Sequence, residues 1–206
     1  MGWGTRFLAL TTLSVLTGCG GKKDVGRSRL GESCVLQIET QALSSGQAHA
    51  EVNIERDSSN CGGGICLSNH FQGRVTCPYG QSEEEIETLP PDDPARCRLP
   101  GALGSSEDEA VSVPVRPQLL ERRAEDTVIC SCRCNGPDPD AEYCTCPTGM
   151  ECVELVRPLG LGSDDVAGSY CIVEGTAHDD SPDTEATCRK GEAFGPASCG
   201  NDGHNP

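Results

Sequence analysis

Apolar residues occur along this chain in short runs that are separated by polar stretches rich in Gly and Pro. Runs that favour β-strands lie at 34–38, 50–54, 64–67, 74–77, 127–134, 143–146 and 151–156. One stretch, 118–126, favours two helical turns, and Pro117 just ahead of it suits a helix start. The pattern predicts a loop-rich domain with short antiparallel β-hairpins and little helix.

The composition leaves few side chains for an apolar core. Hydrophobic residues make up 35% of the chain, and that share includes 15 cysteines. Trp3 and Phe7 lie in the N-terminal segment, so five aromatic residues remain for the rest. Ordering each residue costs on the order of 1–2 kcal/mol. In an oxidising compartment each disulfide offsets roughly 2–4 kcal/mol of that cost. We therefore predict a small disulfide-rich domain.

The N-terminal segment has the pattern of a secretory signal peptide. Arg6 precedes ten mostly apolar residues, 7–16, a run shorter than the roughly 20 residues that span a bilayer. The following residues, Leu16-Thr17-Gly18-Cys19, resemble the lipobox of bacterial lipoproteins. This resemblance implies that residues 1–18 are a cleaved lipoprotein signal peptide. It also implies a diacylglycerol thioether on Cys19 and a fatty acid such as palmitate on the new amino group.

The residues after Cys19 refine the expected location. Residue 20 is Gly rather than Asp, which resembles the signal for outer-membrane delivery in Gram-negative lipoprotein families. The resemblance therefore implies a cell-envelope protein, lipid-anchored in the outer membrane and facing the periplasm or the surface. Residues 19–33 are then the lipidated cysteine and a flexible tether. Without Cys19, 14 cysteines remain, an even number that seven bridges would satisfy.

Cysteine positions and composition divide the exported part of the chain into four segments. We predict an N-terminal cysteine-rich module at 34–97, an acidic and Pro-rich connector at 98–126, a C-terminal cysteine-rich hairpin module at 127–173 and an acidic tail at 174–206. Within the first segment, residues 81–95 have the composition of a loop or a disordered stretch. In the tail, Cys188 and Cys199 are candidates for a bridge that closes a small loop.

The C-terminal cysteines suggest specific bridges. Alternate residues of a strand face the same side, so Cys132 and Cys134 need partners on another segment. A hairpin over the turn at 135–142 sets Cys134 opposite Cys144 and Cys132 opposite Cys146, within bridging distance. We therefore predict the bridges Cys134–Cys144 and Cys132–Cys146.

Counting predicts a further bridge between the two cysteine-rich modules. The segment 34–97 holds five cysteines, residues 130–171 hold seven and the tail holds two. Because an odd group cannot pair internally, at least one bridge must join the modules. Cys97–Cys130 is our hypothesis for that bridge.

Charge and motifs exclude several classes of function. The net charge of −16, from 16 Lys+Arg and 32 Asp+Glu, argues against nucleic acid as a partner, because such binding depends on neutralising phosphates. The segment Cys130–Cys146 has a spacing typical of soft thiolate metal sites, but disulfides are the default after export and no His lies among these cysteines. We therefore expect no metal and no cofactor.

Catalytic motifs are not found in the sequence. None of the four histidines lies in a recognisable Ser/His/Asp or Cys/His context. There is no Gly-x-Ser-x-Gly, no phosphate loop and no His-Glu-x-x-His. We therefore expect a protein that is not an enzyme.

Residues 144–156 resemble EGF-like and related extracellular cysteine-rich modules in style, although the full spacing of six cysteines differs. By analogy this implies binding. The expected function is a lipid-anchored, disulfide-stapled envelope protein that acts as a binding or structural module. Its surface loops would contact an envelope protein or polymer. The alternatives are a thiolate metal-binding protein and a protease inhibitor that presents Pro137–Pro139 as its reactive loop.

Overall fold

Two three-stranded antiparallel sheets form the regular part of the fold in this computed structural model. The described residues are 1, 29–101, 109–160, 165–178, 186–189 and 199, so residues 2–28, which include Cys19 and most of the predicted signal peptide and tether, lie outside them. The first sheet has the order β1-β2-β3, with strands at Val52–Ser58, Gly64–Asn69 and Val128–Ser131. The second has the order β4-β6-β5, with β4 at Arg133–Asn135, β5 at Met150–Val156 and β6 at Gly168–Val173.

Helix is short wherever it occurs in the described residues. The α-helices are α1 at Glu83–Thr88 and α2 at Ala124–Thr127, and 3₁₀ turns lie at Gln37–Thr40 and Ser59–Cys61. The chain is therefore a small disulfide-rich fold with little helix, as the sequence predicts. Within the described residues no helix has the length and apolar character to cross a bilayer.

The helices differ in place from the predicted ones. A capping box starts α1, inside the stretch predicted to be a loop: Ser82 accepts from the Glu85 amide, and the Glu85 carboxylate accepts from the Ser82 amide. The predicted helix at 118–126 keeps only its last turn as α2. Its first residues bond other segments instead, because the Gln118 amide donates to Pro78 O and the Gln118 carbonyl accepts from the Cys188 amide.

The stretch 127–134, predicted to be one strand, passes from one sheet into the other. It forms β3, breaks at Cys132 and continues as β4. Because β3 pairs with β2, with Cys66 opposite Cys130, the predicted N-terminal and C-terminal modules share a sheet. The two sheets also pack together, since Leu67 of β2 contacts Tyr170 and Ile172 of β6. The predicted N-terminal and C-terminal cysteine-rich modules are therefore parts of one structural unit.

The structure pairs all fourteen cysteines after Cys19. The bridges are Cys34–Cys66, Cys61–Cys130, Cys77–Cys97, Cys132–Cys144, Cys134–Cys152, Cys146–Cys171 and Cys188–Cys199. The last of these is the predicted tail bridge. A bridge between the two cysteine-rich modules is also present, as counting requires.

The inter-module bridge uses a cysteine other than the predicted Cys97. Cys130 pairs with Cys61, and Cys97 pairs with Cys77, so the predicted Cys97–Cys130 bridge is wrong. The reason is the register of β3 on β2, which places Cys130 in a core cluster with Cys61. Cys97 belongs to a separate cluster with Cys77.

The two predicted hairpin bridges are also wrong. Cys132 pairs with Cys144 rather than Cys146, and Cys134 pairs with Cys152 rather than Cys144. The predicted hairpin does not form, because the segment around Cys144 is not a strand. The strand that pairs with β4 is β6, which comes from much further along the chain.

Buried arginines satisfy the carbonyl groups of the loops. Among the described residues three arginines are buried, and each donates to three backbone carbonyls. Arg74 donates to the carbonyls of Glu39, Gln41 and Ser44. Arg96 donates to the carbonyls of Ile86, Leu89 and Val111. Arg122 donates to the carbonyls of Asn69, His70 and Thr176. Loops are thereby fixed to one another and to the ends of short elements such as β2 and α1.

Beside Arg74 lies a fully buried carboxyl group, that of Glu39. It accepts from the Val75 amide at 2.9 Å and from Gln47 Nε2 at 3.1 Å. Burial raises the pKa of Glu39 to about 7, although the positive charge of Arg74 lowers it in part. The folded protein therefore binds a proton here at pH values where the unfolded chain, in which this carboxyl has its ordinary pKa of 4.5, has lost it.

This difference predicts a pH-dependent stability. The Glu39 contribution to the free energy of unfolding is fully present below the unfolded pKa of 4.5 and is lost as pH rises through about 7. Guanidinium unfolding with intact bridges, at about pH 4 and about pH 8, measures it. The E39Q variant has no carboxyl group at this position. Relative to it, the free energy of unfolding of the wild type should fall by on the order of 3 kcal/mol between these pH values. E87Q, at an exposed carboxylate, is the control. An equal wild-type-to-E39Q difference at both pH values would contradict the prediction.

Candidate functional site

A cleft of about 760 Å³ opens between three loop segments of the N-terminal part of the structure. This volume lies in the range of small-ligand and peptide sites. The segments are the turn 45–48, residues 79–85 that lead into α1, and residues 114–117. They are brought together by backbone pairing, because Gln47 pairs with Gly73 and Gln81 pairs with Val115.

Two glycines allow the walls of the cleft to approach closely. Gly46 has φ of 88°, and a Cβ there would lie 2.2 Å from the Gly73 carbonyl oxygen. Gly80 has φ of 64°, and its Cβ would lie 2.4 Å from the Val115 carbonyl oxygen. Since a side chain would force these segments apart, the width of the cleft depends on both glycines.

The inner wall of the cleft is fixed by the buried side chain of Gln81. Its Nε2 donates to the carbonyls of Val111 and Val113 at 2.9 and 2.8 Å. Its Oε1 accepts from Arg96 Nε at 3.2 Å and from the Cys97 amide at 3.0 Å. Because all four bonds are satisfied in the protein, the cleft is preorganised rather than formed on binding.

The open face of the cleft carries mixed polar chemistry around one aromatic ring. Tyr79 is half-buried, and the charged side chains at the rim are Glu51, Glu85 and Arg116. An aromatic ring with hydrogen-bonding groups around it suits a partner that is itself partly apolar and partly polar. No nucleophile with its base is among the lining residues, and the arrangement can bind and orient.

The sequence analysis missed this cleft because its lining residues form no motif. They come from three segments that lie far apart in sequence and meet only after folding. The capping box at Ser82 and Glu85 is the one local signal at this site, and it marks the helix start rather than the cleft.

The segment Cys130–Cys146, the candidate thiolate site, contains paired sulfurs. The bridges of the second sheet lie against one another: Cys171 Sγ is 3.8 Å from Cys132 Sγ and 3.7 Å from Cys144 Sγ. The sulfurs of Cys134, Cys146 and Cys152 likewise lie within 4.8 Å of one another. A soft metal would find clustered thiolates here only after reduction, since disulfide sulfurs have no thiolate to offer.

The candidate inhibitor loop is exposed and has local order. Pro137 and Pro139 are both exposed at its tip. Tyr143 Oη donates to the Asp138 carbonyl at 2.6 Å, and the Arg133 guanidinium lies 5.2 Å from the Tyr143 ring centroid. These contacts order the loop locally.

Comparisons of the chain with protein-family models, with curated protein sequences and with solved structures found no match.

Proposed function

We propose that this chain is a lipid-anchored cell-envelope protein whose disulfide-stapled domain binds an envelope partner through the cleft beside Tyr79. The preorganised cleft is the observation that carries the proposal, because a rigid concave surface with mixed chemistry lowers the entropy lost on binding. Many disulfides are typical of an exported protein. The lipobox Leu16–Cys19 supports the anchor.

A cross-linking experiment tests the binding role. A photo-reactive residue at position 79 should give a discrete adduct in the envelope of cells that produce the protein. The same residue at position 159, where Leu159 is 78% exposed and outside the cleft, is the control. Loss of the adduct on protease treatment identifies a protein partner, and its loss on digestion of envelope polysaccharide identifies a polymer.

The binding proposal requires that the adduct depend on the cleft. G80A, which pushes the Val115 backbone away, should abolish the adduct at position 79 while the bridges remain intact by mass. Equal adducts at positions 79 and 159, or no adduct at position 79, would contradict the proposal.

The anchor is tested by removing the lipidated sulfur. C19S should take no radioactive palmitate and should keep the mass of the uncleaved precursor, because the lipid is attached through the Cys19 sulfur and cleavage follows lipidation. G20D should keep the lipid but shift the protein from the outer to the inner membrane, which the resemblance to lipoprotein sorting signals implies. A wild-type protein that takes no palmitate, or a C19S protein that takes as much palmitate as the wild type, would overturn the anchor.

A protease inhibitor is the second candidate, favoured by the ordered, exposed loop at Pro137–Pro139. The alternative of a thiolate metal-binding protein requires free thiols, and the fourteen cysteines after Cys19 are paired. We favour the binding role over both alternatives. Binding through the cleft requires neither a target protease nor reduction of the disulfides.

A further inference from the structure

Three of the four histidines of the chain lie together, although they come from distant parts of the sequence. His49 precedes β1, His70 follows β2, and His178 lies in the loop after β6. Their ring centroids are 6.2 Å apart for His49 and His70, 5.0 Å for His49 and His178, and 4.1 Å for His70 and His178. The cluster is half-buried and so remains accessible to a small ion.

The distances are close to those of a three-histidine metal site. Three imidazoles that bind one zinc ion tetrahedrally, with Zn–N distances of about 2.0–2.1 Å, place their ring centroids about 5 Å apart. The spacing of 5.0 Å between His49 and His178 matches this value, whereas that of 4.1 Å is shorter and that of 6.2 Å is wider. Binding would therefore require side-chain rotations that draw His49 toward His70 and separate His70 from His178, whose ring planes lie at 32° to each other.

The hydrogen bonding of His70 leaves a ring nitrogen suited to a metal. Its Nδ1 lies 3.0 Å from the His49 carbonyl oxygen. A carbonyl oxygen only accepts, so Nδ1 carries the proton and Nε2 carries the lone pair. Metal-binding histidines commonly donate their other N–H to a backbone carbonyl in this way. Burial, and after it the electrostatic effect of the neighbouring His178, lowers the pKa of His70 below its ordinary value.

The backbone around the cluster is fixed before any ion binds. Arg122 donates to the carbonyls of Asn69, His70 and Thr176, and Asn69 Nδ2 donates to Thr176 O at 3.0 Å. These bonds join the end of β2 to the loop that carries His178. His70 itself has φ of 51°, a left-handed conformation that is uncommon outside Gly and is more frequent for Asn, Asp and His.

We propose that His49, His70 and His178 form a binding site for a late first-row divalent cation such as Zn²⁺. Imidazole is a preferred ligand of Zn²⁺, Ni²⁺ and Cu²⁺. With the cysteines after Cys19 paired, the imidazole groups are the nitrogen ligands that the chain offers to such a cation in an oxidising compartment. The positive charge of Arg122 opposes the ion, so the three nitrogen ligands must supply the affinity. The site uses none of the residues that line the cleft, although His49 lies between the lining residues Ala48 and Glu51, and it stands whether or not the cleft binds a partner.

Calorimetric titration of the purified, disulfide-bonded protein with Zn²⁺ at about pH 7.5 tests the site. Excess Mg²⁺ in the buffer occupies the many surface carboxylates, since hard cations prefer oxygen ligands. One Zn²⁺ should bind per chain, and it should raise the temperature of unfolding. Replacing Zn²⁺ with Co²⁺ gives an independent absorption signal for nitrogen coordination.

The variants identify the ligands. H70N removes the imidazole while Asn tolerates the left-handed backbone, and H178A removes a second ligand. Each should weaken Zn²⁺ binding by about tenfold or more. H204A changes the fourth histidine and should bind Zn²⁺ as the wild type does. An intact mass with seven bridges shows that each variant has folded. No binding by the wild type, binding that survives both H70N and H178A, or loss of binding in H204A would overturn the proposal.

Discussion

Disulfide bridges are the constraint on which the rest of this fold depends. Two of the three buried clusters are built around them: one contains Cys34–Cys66 and Cys61–Cys130, the other Cys77–Cys97. In the third cluster Leu67, Tyr170 and Ile172 join the two sheets, and three bridges lie in contact within the second sheet. With so few aromatic residues, the chain buries sulfur where a larger domain would bury rings. Each bridge typically stabilises a fold by roughly 2–4 kcal/mol.

Buried polar side chains stabilise the parts of the chain that the disulfide bridges do not fix. Bridges fix a few points of a loop-rich chain, but the carbonyl groups between those points still need partners. Arg74, Arg96 and Arg122 meet that need, and Gln81 does the same at the cleft. The two functional features follow from this arrangement. The hydrogen bonds of Gln81 hold the wall of the cleft in place. The hydrogen bonds of Arg122 fix the backbone beside the histidine cluster.

The sequence predicts the class of fold because that class depends on composition. A chain with few aromatic residues, many cysteines and short apolar runs is most readily stabilised as a disulfide-bonded β-structure. The runs at 64–67 and 151–156 do form strands. The pairing of strands depends on distant residues instead. The local pattern predicts that the segment around Cys144 pairs with β4, but β6 takes that place from over thirty residues away. The cleft and the histidine cluster also depend on contacts between segments that lie far apart in sequence, and no local pattern marks either of them.

The most direct test of the claim that the disulfide bridges organise the fold is to map those bridges in the non-reduced protein. Trypsin cuts after Arg133 and so separates Cys132 from Cys134. Fragmentation of the peptide backbone in the mass spectrometer separates Cys144 from Cys146. The structure predicts no free thiol among the fourteen cysteines after Cys19, a mass about 14 Da below that of the reduced chain, and the pairs Cys132–Cys144, Cys134–Cys152 and Cys146–Cys171. Free thiols among these cysteines, or the pairs Cys134–Cys144 and Cys132–Cys146, would contradict it.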